Sequence, residues 1–217
     1  QFDDLRDSLL EKGYCVVWFD FPGTGKSTGK FEDTTLIRQR NTLNEVIKYV
    51  YKLKGVNKDD IALLAMSFAT VSAITLDTKM IKTYILASTN GDPYKVISNL
   101  FKFSFNRKIF RNVFNPAGVS IRTNAVGDVL KLKPSFWESL KDINIKKYIE
   151  KMSAPKMYLH GDRDKTASFS EAKKMYRLTC NPKKFVTVKG AGHNYDESKK
   201  VRQDMIKAVL NWLEETL

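Results

Sequence analysis

The chain has 217 residues, of which 42% are hydrophobic and 12% aromatic, so it can bury a sizeable core. This composition excludes wholesale disorder, and no apolar run approaches the roughly 20 residues that span a bilayer. Two cysteines do not make a disulfide framework, and the first residues show no secretory leader. We therefore expect a cytoplasmic protein with no membrane span.

The net charge is +13, from 37 Lys and Arg against 24 Asp and Glu, which raises the possibility of nucleic-acid binding. The chain has neither zinc-finger spacing nor an arginine-rich segment, and its lysines are spread over most of its length. Solubility explains this charge as well. We expect no nucleic-acid partner, and salt-dependent retention on DNA would test that expectation.

Apolar periodicity and turn residues predict alternating elements in the first 76 residues. The run at residues 14–19 is continuously apolar, which is typical of a strand buried on both faces of a parallel sheet. In chain order the predicted elements are a helix at 3–12, a strand at 14–19, a helix at 34–53, a strand at 61–65 and a helix at 68–76.

Residues 94–152 interrupt the alternation, since they hold apolar helical patterns and aromatic residues but no convincing strand. The elements around them are strands at 83–87, 156–160 and 185–189 and helices at 171–178 and 198–217. This order predicts an α/β fold, with a mainly parallel sheet and helices on both faces. We expect residues 1–93 and 153–217 to form the core, and residues 94–152 a helical cap inserted after the strand at 83–87.

Glycine-rich residues 21–27 end in Gly-Lys-Ser, like a phosphate-binding P-loop. A P-loop needs another glycine five positions before Gly25, and that position is Asp20. Because a carboxylate there repels phosphate, we interpret the segment as a tight turn.

Three short motifs each follow a predicted strand. Ser67 lies between Ala65 and Ala69 at a strand-to-helix junction, where a nucleophilic serine needs small neighbours; a buried helix N-cap is the alternative. His160-Gly-Asp-Arg-Asp164 and Gly190-Ala-Gly-His193 follow later strands, where open α/β sheets place their sites. The order Ser67, Asp164, His193 is the order of nucleophile-elbow hydrolases.

With these motifs, the chain resembles the α/β-hydrolase superfamily, especially its monoacylglycerol-lipase-like, serine-aminopeptidase-like and acyl-thioesterase-like serine hydrolases. Residues 20–29 also match that branch's Asp-x-x-Gly-x-Gly-x-Ser-x-Gly turn. The resemblance implies a Ser67 nucleophile, a His193 base and an Asp164 acid, with Asp162 as the competing acid. It also implies an oxyanion donor at the Phe68 N–H, an acyl-enzyme intermediate, and neither metal nor cofactor.

The resemblance also implies that this chain differs from the family at its N-terminal end. In the family, a strand and a loop that donates a second oxyanion N–H precede the first helix, and that strand lies between those matching residues 14–19 and 61–65. The resemblance thus implies that these N-terminal strands are absent from this chain. We expect them upstream of Gln1, rather than from a partner.

The expected substrate is a small-molecule acyl compound, either an ester or a thioester. Phe101, Phe105 and Phe110 in the cap are candidates to line an acyl pocket, and the alternative is that they pack the cap onto the core. Residues 95–127 carry six basic and no acidic residues, which favours an anionic head group over the ammonium of a peptidase substrate. A serine aminopeptidase-like enzyme and a non-catalytic binding protein remain alternatives, and the oligomeric state is open.

Overall fold

The computed structural model describes residues 2–76, 78–103, 112–124 and 127–217. In this part of the chain, a four-stranded parallel sheet of order β1-β2-β5-β6 carries helices on both faces. The strands are β1 (Ala62–Met66), β2 (Thr83–Ala87), β3 (Ser120–Thr123), β4 (Val129–Leu132), β5 (Lys156–Gly161) and β6 (Lys183–Val188). The helices are α1 (Asp3–Glu11), α2 (Leu36–Val50), α3 (Phe68–Thr75), α4 (Pro93–Lys102), α5 (Pro134–Lys141), α6 (Ile145–Ile149), α7 (Phe169–Leu178) and α8 (Lys199–Thr216).

Two apolar cores lie on opposite faces of the sheet, because successive strand side chains point to opposite sides. Tyr84 and Leu86 of β2 join the core that includes residues of α2, α3, α5 and α6. Ile85 and Ala87 of the same strand join the core beneath α1 and α8. The predicted α/β fold with a mainly parallel sheet is confirmed.

The strand predicted at residues 14–19 is not formed. Residues 14–20 have no assigned secondary structure, and Val17 and Trp18 are 38% and 56% exposed rather than buried. A strand exists only when a neighbour accepts its backbone hydrogen bonds, and β1 is the edge strand of the sheet among the described residues. The apolar run at residues 14–19 is suited to a buried strand, but no described strand pairs with it.

Residues 94–152 contain a β-hairpin that the sequence analysis did not predict. Strands β3 and β4 pair antiparallel, with Ser120 opposite Leu132 and Thr123 opposite Val129. The Asn124 side chain accepts the N–H of Asp128 at 2.8 Å and closes the turn. Little in the sequence indicated this hairpin, because the polar Ser120 is buried while the apolar Val129 is exposed.

The turn at residues 20–29 is folded around a carboxylate. Asp20 Oδ2 accepts the N–H of Lys26 at 2.9 Å, and the Ser27 hydroxyl donates to the Asp20 carbonyl at 2.7 Å. Gly23 donates its N–H to the Thr28 carbonyl at 2.9 Å. The Asp20 carboxylate thus occupies the inside of the turn, as expected for a structural turn.

We expect Gly25→Ala to destabilise the protein by about 2–4 kcal/mol, because Gly25 has a φ of +50° and a Cβ there would overlap the Asp20 carboxylate. Gly13→Ala is the matched control, since Gly13 has a φ of +83° with open space around its Cβ position. The free energies of urea unfolding of the two variants distinguish the cost of backbone strain from the cost of overlap with the Asp20 carboxylate. Equal losses would contradict a packing role for Asp20.

Candidate active site

Ser67 lies on a sharp turn between β1 and α3. Its φ of 55° and ψ of −125° are unusual for a residue with a side chain, and strained backbone of this kind clusters at functional sites. The Ser67 N–H donates to the Ala87 carbonyl at 3.0 Å, which holds the turn against the end of β2. The hydroxyl does not cap α3. Ser67 thus occupies the N-cap position of α3 without a capping hydrogen bond from its side chain, and the hydroxyl is available to another partner.

Asp164 lies in the loop after β5, and its carboxylate is fully buried. Its Oδ1 accepts two backbone N–H groups, from Thr166 at 2.8 Å and from Ala167 at 2.9 Å. These bonds fix the rotation of the carboxyl group and leave Oδ2 for the site.

His193 lies in the loop after β6, and glycines bring this loop against the acid loop. A Cβ on Gly161 would overlap the Ala191 carbonyl, which accepts the Arg163 N–H at 2.9 Å. Glu197 accepts the Gly192 N–H from the other side. Two loops that follow adjacent strands are thus in direct backbone contact.

The His193 imidazole bridges the other two side chains. Its Nδ1 lies 2.8 Å from Asp164 Oδ2, and its Nε2 lies 2.8 Å from Ser67 Oγ. Since a carboxylate only accepts, Nδ1 carries the proton and Nε2 accepts from the serine hydroxyl. This geometry allows Nε2 to remove the Ser67 proton while Asp164 stabilises the resulting cation.

Asp162, the competing acid, does not contact the ring. Its carboxylate accepts the Gly190 N–H at 2.7 Å and so holds the backbone of the His193 loop. The structure brings Asp164 to the imidazole, whereas Asp162 binds the backbone at Gly190, three residues before that histidine.

His160 is a second histidine beside Asp164. Its ring is 1% exposed, and its Nε2 lies 3.0 Å from the Ala167 carbonyl and 3.4 Å from Asp164 Oδ2. Burial lowers the pKa of His160, so the ring is held neutral. The sequence motif contains this residue, but its spacing gave no sign that it faces the same carboxylate.

The pKa of Asp164 is lowered. Burial alone would raise it, but the hydrogen bond and charge of His193, with the N–H groups of Ala167 and Thr166, outweigh burial. Because both pKa values are lowered in the folded state, Asp164 and His160 each contribute less to the free energy of unfolding as the pH falls. The His160 contribution is lost below its ordinary pKa of about 6.5, and the Asp164 contribution only below about 3.9.

We expect the urea midpoint of the wild type to fall in two stages as the pH decreases from 7.5 to 3. His160→Gln should flatten the stage between about pH 6.5 and 4, since glutamine takes up no proton, and should keep the stage below pH 4. Unfolding at 0.5-unit pH intervals measures both slopes. An unchanged slope in the upper window would contradict the buried, neutral His160.

Phe68, the predicted oxyanion donor, is the first residue of α3. The N–H groups of a helix's first turn have no acceptor within the helix, so the Phe68 N–H is available beside Ser67. The Phe68 ring packs against Phe136 of α5, with 5.5 Å between ring centroids. Helix α5 is thus in contact with the residue that follows the serine.

The predicted substrate-binding phenylalanines have different outcomes. Phe101 is 3% exposed and packs edge-on against Trp137, with ring centroids 5.8 Å apart. This placement is that of a packing residue, and contact with substrate stays a prediction for it. Phe105 and Phe110 lie outside the described residues.

The described residues contain no group of three or more His, Cys, Asp or Glu side chains placed to hold a metal ion. No described helix is both long and apolar enough to cross a membrane.

No protein-family model and no curated protein matches this sequence significantly. Solved structures match it over nearly its whole length. Est1E from Butyrivibrio proteoclasticus with ferulic acid bound has a TM-score of 0.76 and 24% identity, over 97% of this chain and 82% of that one. The monoacylglycerol lipase of Paleococcus ferrophilus has a TM-score of 0.72 and 18% identity, over 99% and 88%.

A third match is the esterase domain of a Rhodothermus marinus protein, with a TM-score of 0.71 and 18% identity, over 99% of this chain and 80% of that one. All three identities are below 25%, so the likeness extends to the fold alone.

Proposed function

Because the chain has the α/β-hydrolase fold, we propose that it is a serine hydrolase that cleaves an acyl ester or thioester. The observation that carries this proposal is one imidazole 2.8 Å from both a strained serine and a buried carboxylate. Esterase and lipase activities among the structural matches support the reaction class.

The proposed reaction has two halves. Ser67 Oγ attacks the acyl carbonyl as His193 Nε2 takes its proton, and the Phe68 N–H donates to the developing oxyanion. His193 then protonates the departing alcohol or thiol, which leaves an acyl group on Ser67. Water, deprotonated by the same Nε2, attacks that acyl group, and the proton returns to Ser67 as the acid departs.

Residues 94–152 are proposed to form a cap beside Ser67. The contact between Phe136 and Phe68 supports this position, as does Leu36, whose N–H donates to Ser139 of α5 at 3.0 Å. The segment holds twelve Lys and Arg against four Asp and Glu, a net +8 of the chain's +13. That charge favours an acyl compound with an anionic head group over the ammonium of an aminopeptidase substrate.

Both cysteines, Cys15 and Cys180, are free thiols at exposed positions. Free exposed thiols persist in a reducing compartment, which supports the cytoplasm as the proposed location.

We expect kcat/KM to rise with acyl length, and to fall with added salt for an anionic thioester but not for a neutral ester. Apolar chains gain about 25 cal/mol per Å² of covered surface, and salt screens charges beyond about 8 Å. Initial rates between 20 and 500 mM NaCl measure both trends. Equal salt responses would contradict the anionic substrate, and highest activity on acetyl would indicate a small-ester hydrolase.

Labelling with a fluorophosphonate tests the reaction class itself. A catalytic Ser67 becomes covalently phosphonylated, whereas a non-catalytic binding protein on the same fold does not react. A wild-type protein that is folded but unlabelled would contradict the proposed function.

A further inference from the structure

Three non-glycine residues in the described part of the chain have a positive φ, and all three lie at the carboxyl end of the sheet. They are Ser67 at 55°, Ser88 at 48° and Tyr195 at 56°. Such backbone costs of order 1–3 kcal/mol per residue and persists only where the surroundings impose it. The nucleophile turn explains the strain at Ser67. Ser88 and Tyr195 have no assigned role in the reaction.

Tyr195, two residues after His193, is 1% exposed and donates its hydroxyl to the Leu159 carbonyl at 2.8 Å. The same carbonyl, near the end of β5, accepts the Ser88 N–H at 2.9 Å. Burial raises the pKa of Tyr195, so the hydroxyl keeps its proton and remains a donor. The loop that carries His193 is thereby tied to β5.

Ser88, which follows β2 directly, is fully buried, and its hydroxyl reaches that loop twice. The Ser88 Oγ lies 3.0 Å from the His193 carbonyl and 3.1 Å from the Tyr195 hydroxyl oxygen. A hydroxyl has one proton, so it donates to either oxygen, and both lie on the same loop. The loop is thus tied to the end of β2 as well.

The preceding residue, Ala87, holds the nucleophile, since its carbonyl accepts the Ser67 N–H at 3.0 Å. Ser67 is therefore anchored to residue 87 and the backbone of His193 to residue 88. Two adjacent residues at the end of β2, Ala87 and Ser88, therefore hold the backbones of both Ser67 and His193.

We propose that Ser88 and Tyr195 are positioning residues that fix the His193 imidazole at Ser67. This proposal rests on the proposed function, because it assigns the two residues to the geometry of that same reaction. A displacement of about 1 Å at reacting atoms costs on the order of 100-fold in rate. Neither residue contacts the reacting atoms, so both act through the His193 backbone.

Tyr195→Phe tests the hydroxyl, with Tyr158→Phe as a matched control. Tyr158 is also fully buried, and its hydroxyl lies 2.6 Å from Thr179 Oγ1, but it faces the opposite side of the sheet. We expect Tyr195→Phe to lower kcat about 10- to 100-fold with KM unchanged, and Tyr158→Phe to keep kcat within about twofold. Equal kcat values in the two variants would overturn the proposal.

Two substitutions at Ser88 distinguish the effect of its hydroxyl from the effect of its strained backbone. Ser88→Ala and Ser88→Gly both remove the hydroxyl, but glycine adopts a φ of 48° without penalty. We expect the glycine variant to melt higher than the alanine variant, and both to lose kcat to a similar extent. Wild-type kcat in Ser88→Gly would overturn the role of the hydroxyl.

A measurement without substrate distinguishes this proposal from the proposed function. The chain has two histidines, so a ¹⁵N-histidine spectrum shows two imidazoles, and His160→Gln assigns them. We expect His193 to be a single Nδ1-protonated tautomer in the wild type and in Tyr158→Phe, and a mixture of tautomers in Tyr195→Phe and Ser88→Ala.

An active wild type whose variants keep the single tautomer would overturn the positioning role and leave the hydrolase intact. An inactive wild type whose variants nevertheless lose the tautomer would overturn the hydrolase and support the positioning of the ring.

Discussion

Replacing Ser67 with alanine is expected to lower hydrolysis of a p-nitrophenyl ester by about six orders of magnitude, because no other nucleophile lies within reach of His193 Nε2 among the described residues. The melting temperature should stay within about 2 °C, since the hydroxyl bonds to His193 and caps no helix. Ester kinetics and thermal unfolding measure the two effects.

Ser72→Ala is the control on the same helix. The Ser72 hydroxyl is fully buried and donates to Gln39 Oε1 at 3.0 Å, so its loss should cost about 1 kcal/mol of stability and little activity. Fluorophosphonate should label the Ser72 variant and not the Ser67 variant. Ester hydrolysis at the wild-type rate by the Ser67 variant would remove this residue from the mechanism.

Asp164→Asn is expected to lower kcat about 10⁴-fold at neutral pH. An asparagine at this position presents a donor to Nδ1 and so favours the tautomer with its proton on Nε2, which cannot accept from Ser67. The two N–H groups of Thr166 and Ala167 can still bond to the remaining amide oxygen, so the loop keeps its shape. Steady-state kinetics measure the loss.

Asp162→Asn provides the comparison that separates the two acids. An amide oxygen can still accept the Gly190 N–H, so we expect kcat within about tenfold of the wild type. The opposite ranking of the two variants would assign the acid role to Asp162 and contradict the arrangement at His193.

Strand β2 was readable from the sequence because it is buried on both faces and residues 84–87 form a continuous apolar run, whereas β5 offered a shorter apolar run at residues 157–159. The run at residues 14–19 is longer and still forms no strand, because pairing depends on a neighbour that local sequence does not specify. The hairpin of β3 and β4 is the opposite case, since its two strands pair although the sequence did not indicate them. Each strand has four residues, which is too few for alternation to stand out.

The three side chains at His193 were predicted because each lies in a loop after a strand, and the carboxyl ends of parallel strands converge. The resemblance to the hydrolase family favoured Asp164 over Asp162, and the ring contacts Asp164. Ser88 and Tyr195 were not predicted. A positive φ in a non-glycine residue leaves no mark on the sequence, and the bonds that join them span more than 100 residues.

The edge position of β1 has a consequence for handling the protein. One side of β1 pairs with β2, and the other side has no strand partner within the described residues. The strand Ala62–Met66 carries neither lysine nor proline, the residues that discourage edge-to-edge pairing, and its Leu64 is 38% exposed. A protein of these 217 residues should therefore self-associate through this edge at high concentration, and a lysine in place of Leu64 should raise its solubility.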